Sequence, residues 1–319
     1  MWDEAVTVQA AGVRVYVYGI ALMLGCWAGL AVLFTLSRRS LKERNAAAWA
    51  GALALPLGLL FARLAFCLLD PNFRPFLNLR NVLDLRTGGL SMYGAMAGMG
   101  LAAWLGARIG GVKPLRMLDL ACAAFLAFLI PARLGEGFTS LGISRPLTTG
   151  LLDNTFLAQR DAYDAYLRTW LLEAVVALGL LLLLLASLRR NPRPGRALML
   201  FCLLYGAAQT LMESLRFDGH MRFSFIGVQQ VLSAALFLGA LVVLGVRALR
   251  RGKAGPLPIA GIAAAPVIAA ALVGVEFLID RSGMGKLASY ALFLAVLALP
   301  VWLGARMIRM EDRIGQVAD

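Results

Sequence analysis

The sequence predicts an all-α fold, a polytopic transmembrane bundle of about nine helices, from three observations. Apolar stretches of membrane-spanning length recur along the whole chain, 60% of its 319 residues are hydrophobic against 15% charged, and its basic residues cluster in alternate connections. A soluble chain of this size has too little polar surface here to cover its core, so the bilayer is expected to be its solvent.

The stretches fall at 14–36, 46–69, 90–109, 115–132, 167–187, 197–215, 225–246, 257–279 and 287–308. As helices, each can cross a ~30 Å hydrocarbon layer or most of it. Arg38, Arg39, Lys42 and Arg44 follow the first, Arg108, Lys113 and Arg116 the third, and Arg189, Arg190, Arg193 and Arg196 the fifth. Arg247, Arg250, Arg251 and Lys253 follow the seventh, and Arg306 and Arg309 close the ninth. Short basic turns stay inside, which predicts a cytoplasmic C-terminus and an N-terminus outside. The net charge of +13 is thereby assigned to membrane topology, with no nucleic-acid partner. The expected setting is the bacterial plasma (inner) membrane, as a multi-pass protein.

Asp3 and Glu4 stand where a signal peptide carries basic residues, so the first stretch is expected to be retained. Cys26, Cys67, Cys122 and Cys202 lie inside apolar stretches without ligand spacing, and neither a metal nor a cofactor is expected. The connection at 133–166 reads as an extracytoplasmic cap containing Asp153. The one at 70–89, with Pro71 and Pro75, reads as an interfacial segment leading into Gly88, Gly89, Gly94 and Gly98. Glycines four apart permit close helix packing, and a glycine-rich helix start can also offer N–H groups to an anion; both readings stand.

Ionisable residues inside spans cost roughly 2.5–3.5 kcal/mol and point to function. Arg63 and Glu173 are of this kind, Arg133 and Glu136 sit where the fourth span exits, and Gln209, Glu213 and Arg216 share one helical stripe. With the predicted topology all lie near the outer ends of their helices, which predicts one site facing the extracytoplasmic leaflet. Blander readings stand beside this one. Glu213 and Arg216 can form a local ion pair, Arg63 and Arg133 can snorkel to headgroups, and Glu173 suits the start of a helix. His220 reads as a solvated turn residue, and Glu276, isolated in its span, is assigned no role. Arginine's planar fork matches phosphate oxygens, so an anionic phospholipid is the natural ligand.

Over roughly 10–250 the chain resembles the bacterial prolipoprotein diacylglyceryl transferases in six ordered pieces. VYVYGIALMLG is similar to the family's first-helix element through Tyr18 and Gly19, and FARLAFCLLD to its Gly-Ala-Arg-Leu run through Arg63. TGGLSMYGAMAG resembles the Gly-Gly-Met-Ser-Phe-His-Gly-Gly element, with Gly89 and Gly94 inside it. PARLGEGF resembles the Gly-Arg-Ile-Gly-Asn-Phe signature through Arg133 and Gly135, and WLLEA matches Glu173. LYGAAQTLMESLRFD resembles Tyr-Gly-x-x-Arg-Phe-x-x-Glu-x-x-Arg-x-x-Asp through Tyr205, Gly206, Glu213 and Arg216. Departures are equally specific. Tyr93 replaces a histidine, Glu136 an asparagine and Gln209 an arginine; Leu141 stands where a glutamate is expected, and Gln229 is displaced in GVQQ.

The resemblance implies a membrane domain at 1–250 followed by two additional helices and a cytoplasmic tail at 251–319. It implies transfer of a diacylglyceryl group from phosphatidylglycerol to the lipobox cysteine thiol of a prolipoprotein, whose signal peptide would be a partner. Arg133 and Arg216 would hold the phosphate. The thiol base stays open among Glu136, Glu173 and Glu213, with Tyr93 as a donor to the departing oxygen. Tyr18, Arg63, Gly89, Gly94, Glu173 and Tyr205 are the expected lipid-binding residues. The alternatives are a lipid-binding homologue that kept the scaffold without the reaction and, with no internal repeat to support it, a lipid transporter.

Overall fold

The computed structural model describes residues 7–10, 13–70, 72–73, 75, 77–84, 88–147, 154–161, 163–190, 193–219, 221–252, 255–281 and 285–318. Asp3, Glu4, Pro71, Asp153, His220 and Lys253 lie outside them. The helices are α1 (Val17–Leu36), α2 (Leu41–Leu69), α3 (Leu79–Leu83), α4 (Met92–Ile109) and α5 (Pro114–Glu136), then α6 (Thr169–Arg189), α7 (Arg196–Leu215), α8 (Val228–Arg250), α9 (Pro256–Arg281) and α10 (Lys286–Ala318).

Among the described residues eight helices are long and apolar enough to cross a membrane, and the chain is an all-α polytopic membrane protein. The remaining expected span, the third at 90–109, forms α4, an 18-residue helix whose apolar character is diluted by Gly94, Gly98, Gly100, Gly106 and Arg108. Large apolar side chains such as Trp27, Leu55, Leu182, Val267 and Leu294 stand exposed on the spanning helices, as a lipid solvent allows. The first helix starts later than expected, because 13–16 pairs as a hairpin strand with 7–10. The 133–166 cap is likewise divided: Arg133 and Glu136 complete α5, and beyond them lie β3 (Ile143–Pro146), β4 (Ala158–Arg160) and β5 (Ala165–Arg168), in the order β3-β5-β4.

Two compact units make up the chain. One comprises Ile20–Ala132 and Leu185–Leu198. In it, α2 and α4 approach along a glycine stripe. A Cβ on Gly98 would strike the Leu57 carbonyl, one on Gly94 the Phe61 carbonyl, and one on Gly106 would lie 2.6 Å from Ala46 O. Spacing by four thus serves helix packing, and the Gly94 N–H donates to Ser91 Oγ at 3.3 Å. The buried Asp119 carboxylate accepts from the N–H groups of Gly195 and Leu198, both at 2.7 Å, capping the start of α7 from another helix.

The other unit comprises Met1–Gly19, Arg133–Leu184 and Met199–Asp319. Its helices α8, α9 and α10 pack on one another. Gly206 lets α7 meet α8, since a Cβ there would lie 2.9 Å from both Phe237 N and Ser233 O. After α7 the chain turns through a short hairpin, Arg222–Phe223 with Ile226–Gly227, into α8.

Candidate active site

Within the second unit the ends of α5, α6 and α7 bring together the ionisable residues singled out from the sequence. Arg133 and Glu136 occupy the last turn of α5, and Arg133 Nη1 lies 2.5 Å from Glu136 Oε1. Glu173, near the start of α6, reaches both arginines: Oε2 is 2.8 Å from Arg133 Nε, and Oε1 is 2.7 Å from Arg216 Nη1. Glu136 does the same, its Oε2 lying 3.1 Å from Arg216 Nη2. Asp218 completes the Arg216 fork at 2.8 Å. Glu173 and Arg216 keep only 1% of their side-chain surface exposed, so each charge depends on these partners in place of water.

Gln209 and Glu213 share the inward stripe of α7, as their spacing predicts. Gln209 Nε2 donates to Glu173 Oε2 at 3.0 Å and to Glu213 Oε1 at 2.9 Å, so a neutral amide bridges two carboxylates. Tyr18, at the start of α1, lies within electrostatic reach of Glu136, Arg133 and Arg216. Tyr205 is buried, stacks on Phe201 with centroids 5.0 Å apart, and lies within electrostatic reach of Arg133.

A strand holds the arginine in place from the side. Ser144 of β3 bridges Arg216, and the Phe217 N–H donates to Ile143 O at 2.8 Å. Just before that strand Gly142 adopts φ +72°, and its N–H donates to Asp218 Oδ2. A Cβ at this position would lie 2.9 Å from Glu136 Oε2 and 2.7 Å from Trp170 Cβ, so both conformation and space call for glycine.

The remaining expected residues belong to the first unit, where Arg63 anchors a loop. Its Nε donates to Val82 O at 3.1 Å, its Nη1 to Gly88 O and Gly89 O, and its Nη2 to Asn81 O at 2.8 Å and Asp84 O at 2.9 Å. The guanidinium also lies 5.1 Å from the Phe73 ring centroid. All five donors are engaged by backbone carbonyls, with which a phosphate would have to compete. Gly89, at φ +78°, leaves no room for a Cβ beneath the Phe66 ring. Tyr93 is buried in the first turn of α4. Replacing Arg63 with lysine leaves three donors on a point charge. Arg63→Lys is therefore expected to speed limited chymotryptic cleavage at Leu79 or Leu83 by about tenfold or more, since charged hydrogen bonds of ~1.5–3 kcal/mol are lost.

Three polar residues carry more of the structure than the sequence suggested. Asp218 is an ion-pair partner of Arg216. Asp119 is a cap. Glu276, isolated in sequence, accepts at one carboxylate oxygen from Ser214 Oγ at 2.7 Å and Gln230 Nε2 at 2.8 Å. Its place inside an apolar stretch was the available signal.

The fold and cluster define a class: a multi-pass membrane protein with a buried arginine–carboxylate site among its helix ends. The chain belongs to the prolipoprotein diacylglyceryl transferase family, whose model matches residues 5–246, and the resemblance carried by the six motifs is thereby borne out. It is 30% identical over 250 residues to a phosphatidylglycerol–prolipoprotein diacylglyceryl transferase of Gloeobacter violaceus, covering 73% of this chain and 89% of the relative. A protein of the same name from Bacillus cereus strain Q1 is 24% identical over 250 residues, covering 76% and 92%. One from Bacillus anthracis is 25% identical over the same length and coverage. The matched span ends inside α8, leaving α9 and α10 beyond it.

Proposed function

We propose that this protein transfers a diacylglyceryl group from phosphatidylglycerol to the lipobox cysteine thiol of a prolipoprotein, at the extracytoplasmic leaflet of the bacterial plasma membrane. One observation carries the reading within this family: Arg133 and Arg216 are brought together in a buried site and joined by shared carboxylates. In the reaction the cysteine sulfur attacks the terminal glycerol carbon of the diacylglyceryl group. A sulfur–carbon bond forms, the carbon–oxygen bond to phosphate breaks, and glycerol 1-phosphate departs with the bonding electrons. A guanidinium fork suits the charge that develops on the leaving phosphate, and a dry surrounding strengthens it.

Charge balance suggests how the proton moves. Two guanidiniums face Glu136, Glu173, Glu213 and Asp218, a formal surplus of two negative charges before any phosphate arrives. One carboxylate of the set Glu136, Glu173 and Glu213 takes the thiol proton. Once protonated it holds the guanidiniums less tightly, which releases them to the leaving phosphate as it gains charge.

The same clamp favours a second reading. Because Glu136 already occupies both arginines, a re-purposed homologue could bind phospholipid without cleaving it. Purified protein in lipid nanodiscs, given phosphatidylglycerol and a lipobox peptide, separates the two by mass spectrometry. Transfer adds a diacylglyceryl mass to the peptide and releases glycerol phosphate. A bound, unconsumed lipid and an unmodified peptide would sink the transferase reading in favour of the second.

A further inference from the structure

We propose that the two helices beyond the family-matched span complete the site, with Glu276 of α9 as a positioning residue for the Arg216 segment. Glu276 is buried, and its oxygen accepts from Ser214 Oγ at 2.7 Å and Gln230 Nε2 at 2.8 Å. Ser214 stands between Glu213 and Arg216 in the last turn of α7, and Gln230 lies in the first turn of α8. One carboxylate therefore ties the end of the site's helix to the start of the next.

Two further links act on the same stretch of backbone. The Tyr290 hydroxyl of α10 donates to Ser214 O at 3.2 Å, satisfying one of the carbonyls that a helix end leaves unpaired. Asp280 of α9 accepts from Arg145 Nη2 at 2.7 Å, and Arg145 belongs to β3, whose Ser144 bridges Arg216. The Arg216 backbone is thus held on one side through Ser214 and on the other through β3, and in both cases the outer anchor comes from α9 or α10.

A buried carboxylate is a costly way to join helices that already pack through apolar side chains. Its two hydrogen bonds are directional, however, and fix the rotation and height of the α7 end, which apolar packing leaves less specified. A guanidinium serving a phosphate in flight needs that kind of placement, since an error of ~1 Å can cost about 10²-fold in rate.

The inference rests on the transferase reading for its kinetic readout, so a second readout independent of activity accompanies it. Full-length protein in nanodiscs is compared as wild type, Glu276→Leu, Glu276→Gln and Leu272→Ala; Leu272 is a buried residue one turn earlier on α9. Glu276→Leu is expected to lower kcat by about 10²-fold with the KM for the lipobox peptide little changed. Amide hydrogen exchange at 212–218 should become about tenfold faster, the scale of one lost charge-assisted hydrogen bond. Glu276→Gln, which keeps an acceptor for Ser214, should restore most of both. Leu272→Ala should lower the thermal midpoint without changing the exchange at 212–218 or kcat. Equal effects of Glu276→Leu and Leu272→Ala on kcat and exchange would overturn the proposal, as would wild-type behaviour of Glu276→Leu. If the wild type transfers nothing while the exchange pattern appears as expected, the transferase reading fails and the positioning role stands.

Discussion

Arg216→Ala is expected to abolish measurable transfer, with a loss of about 10²–10³-fold or more for removal of a buried donor facing a developing anion. The variant should also lose stability. Glu173, Glu136 and Asp218 all pair with this guanidinium at 2.7–3.1 Å. Deleting one side of such a buried set costs about 3–5 kcal/mol, because the charges left behind have no water to turn to. Arg216→Lys separates the two effects. A lysine retains the charge and should recover part of the stability, but its single ammonium cannot reproduce the fork that spans three carboxylates, so turnover should stay low. The comparison requires rates per folded protein, with folding followed by resistance to unfolding in mixed detergent micelles. Wild-type turnover in the folded Arg216→Ala variant would remove Arg216 from the reaction.

Glu173→Ala should have the next largest effect, chiefly on architecture. Its carboxylate joins Arg133 at 2.8 Å to Arg216 at 2.7 Å and accepts from Gln209 at 3.0 Å. Without it the two guanidiniums keep Glu136 as a shared partner and otherwise repel each other across a poorly screened interior. A loss of about 3–5 kcal/mol is expected, together with a fall in turnover of about 10²-fold as the arginines separate. Glu173→Gln, which preserves shape and one acceptor, should recover more stability than activity, because it removes the charge that holds both arginines. If Glu173→Ala unfolded like wild type, the cluster would be a set of independent pairs and the shared-partner description would fail.

Much of this protein was legible without coordinates. Span length reports on a one-dimensional balance between apolar length and bilayer thickness, so all but one of the nine expected spans appear as helices long and apolar enough to cross a membrane. Arg133, Glu136, Glu173, Glu213 and Arg216 stood out because ionisable groups in or at the ends of apolar stretches are expensive, and the ordered motifs pointed to the family whose model matches residues 5–246. The spacing of Gln209, Glu213 and Arg216 likewise determined that they share a helix face.

Pairing had to come from the tertiary structure. Hydrogen-bond geometry between distant residues leaves no periodic trace, so Arg63 and Arg133 look alike in sequence, yet one holds loop carbonyls and the other meets carboxylates. For the same reason Gly142 reads as a loop residue until its φ of +72° and its closeness to Glu136 are seen, and Glu276 reads as solitary until α9 brings it to Ser214 and Gln230. Sequence by itself determined which residues are costly to bury and how the helices repeat. Only the fold decided which charges compensate one another, because that compensation depends on distances of about 3 Å between residues far apart along the chain.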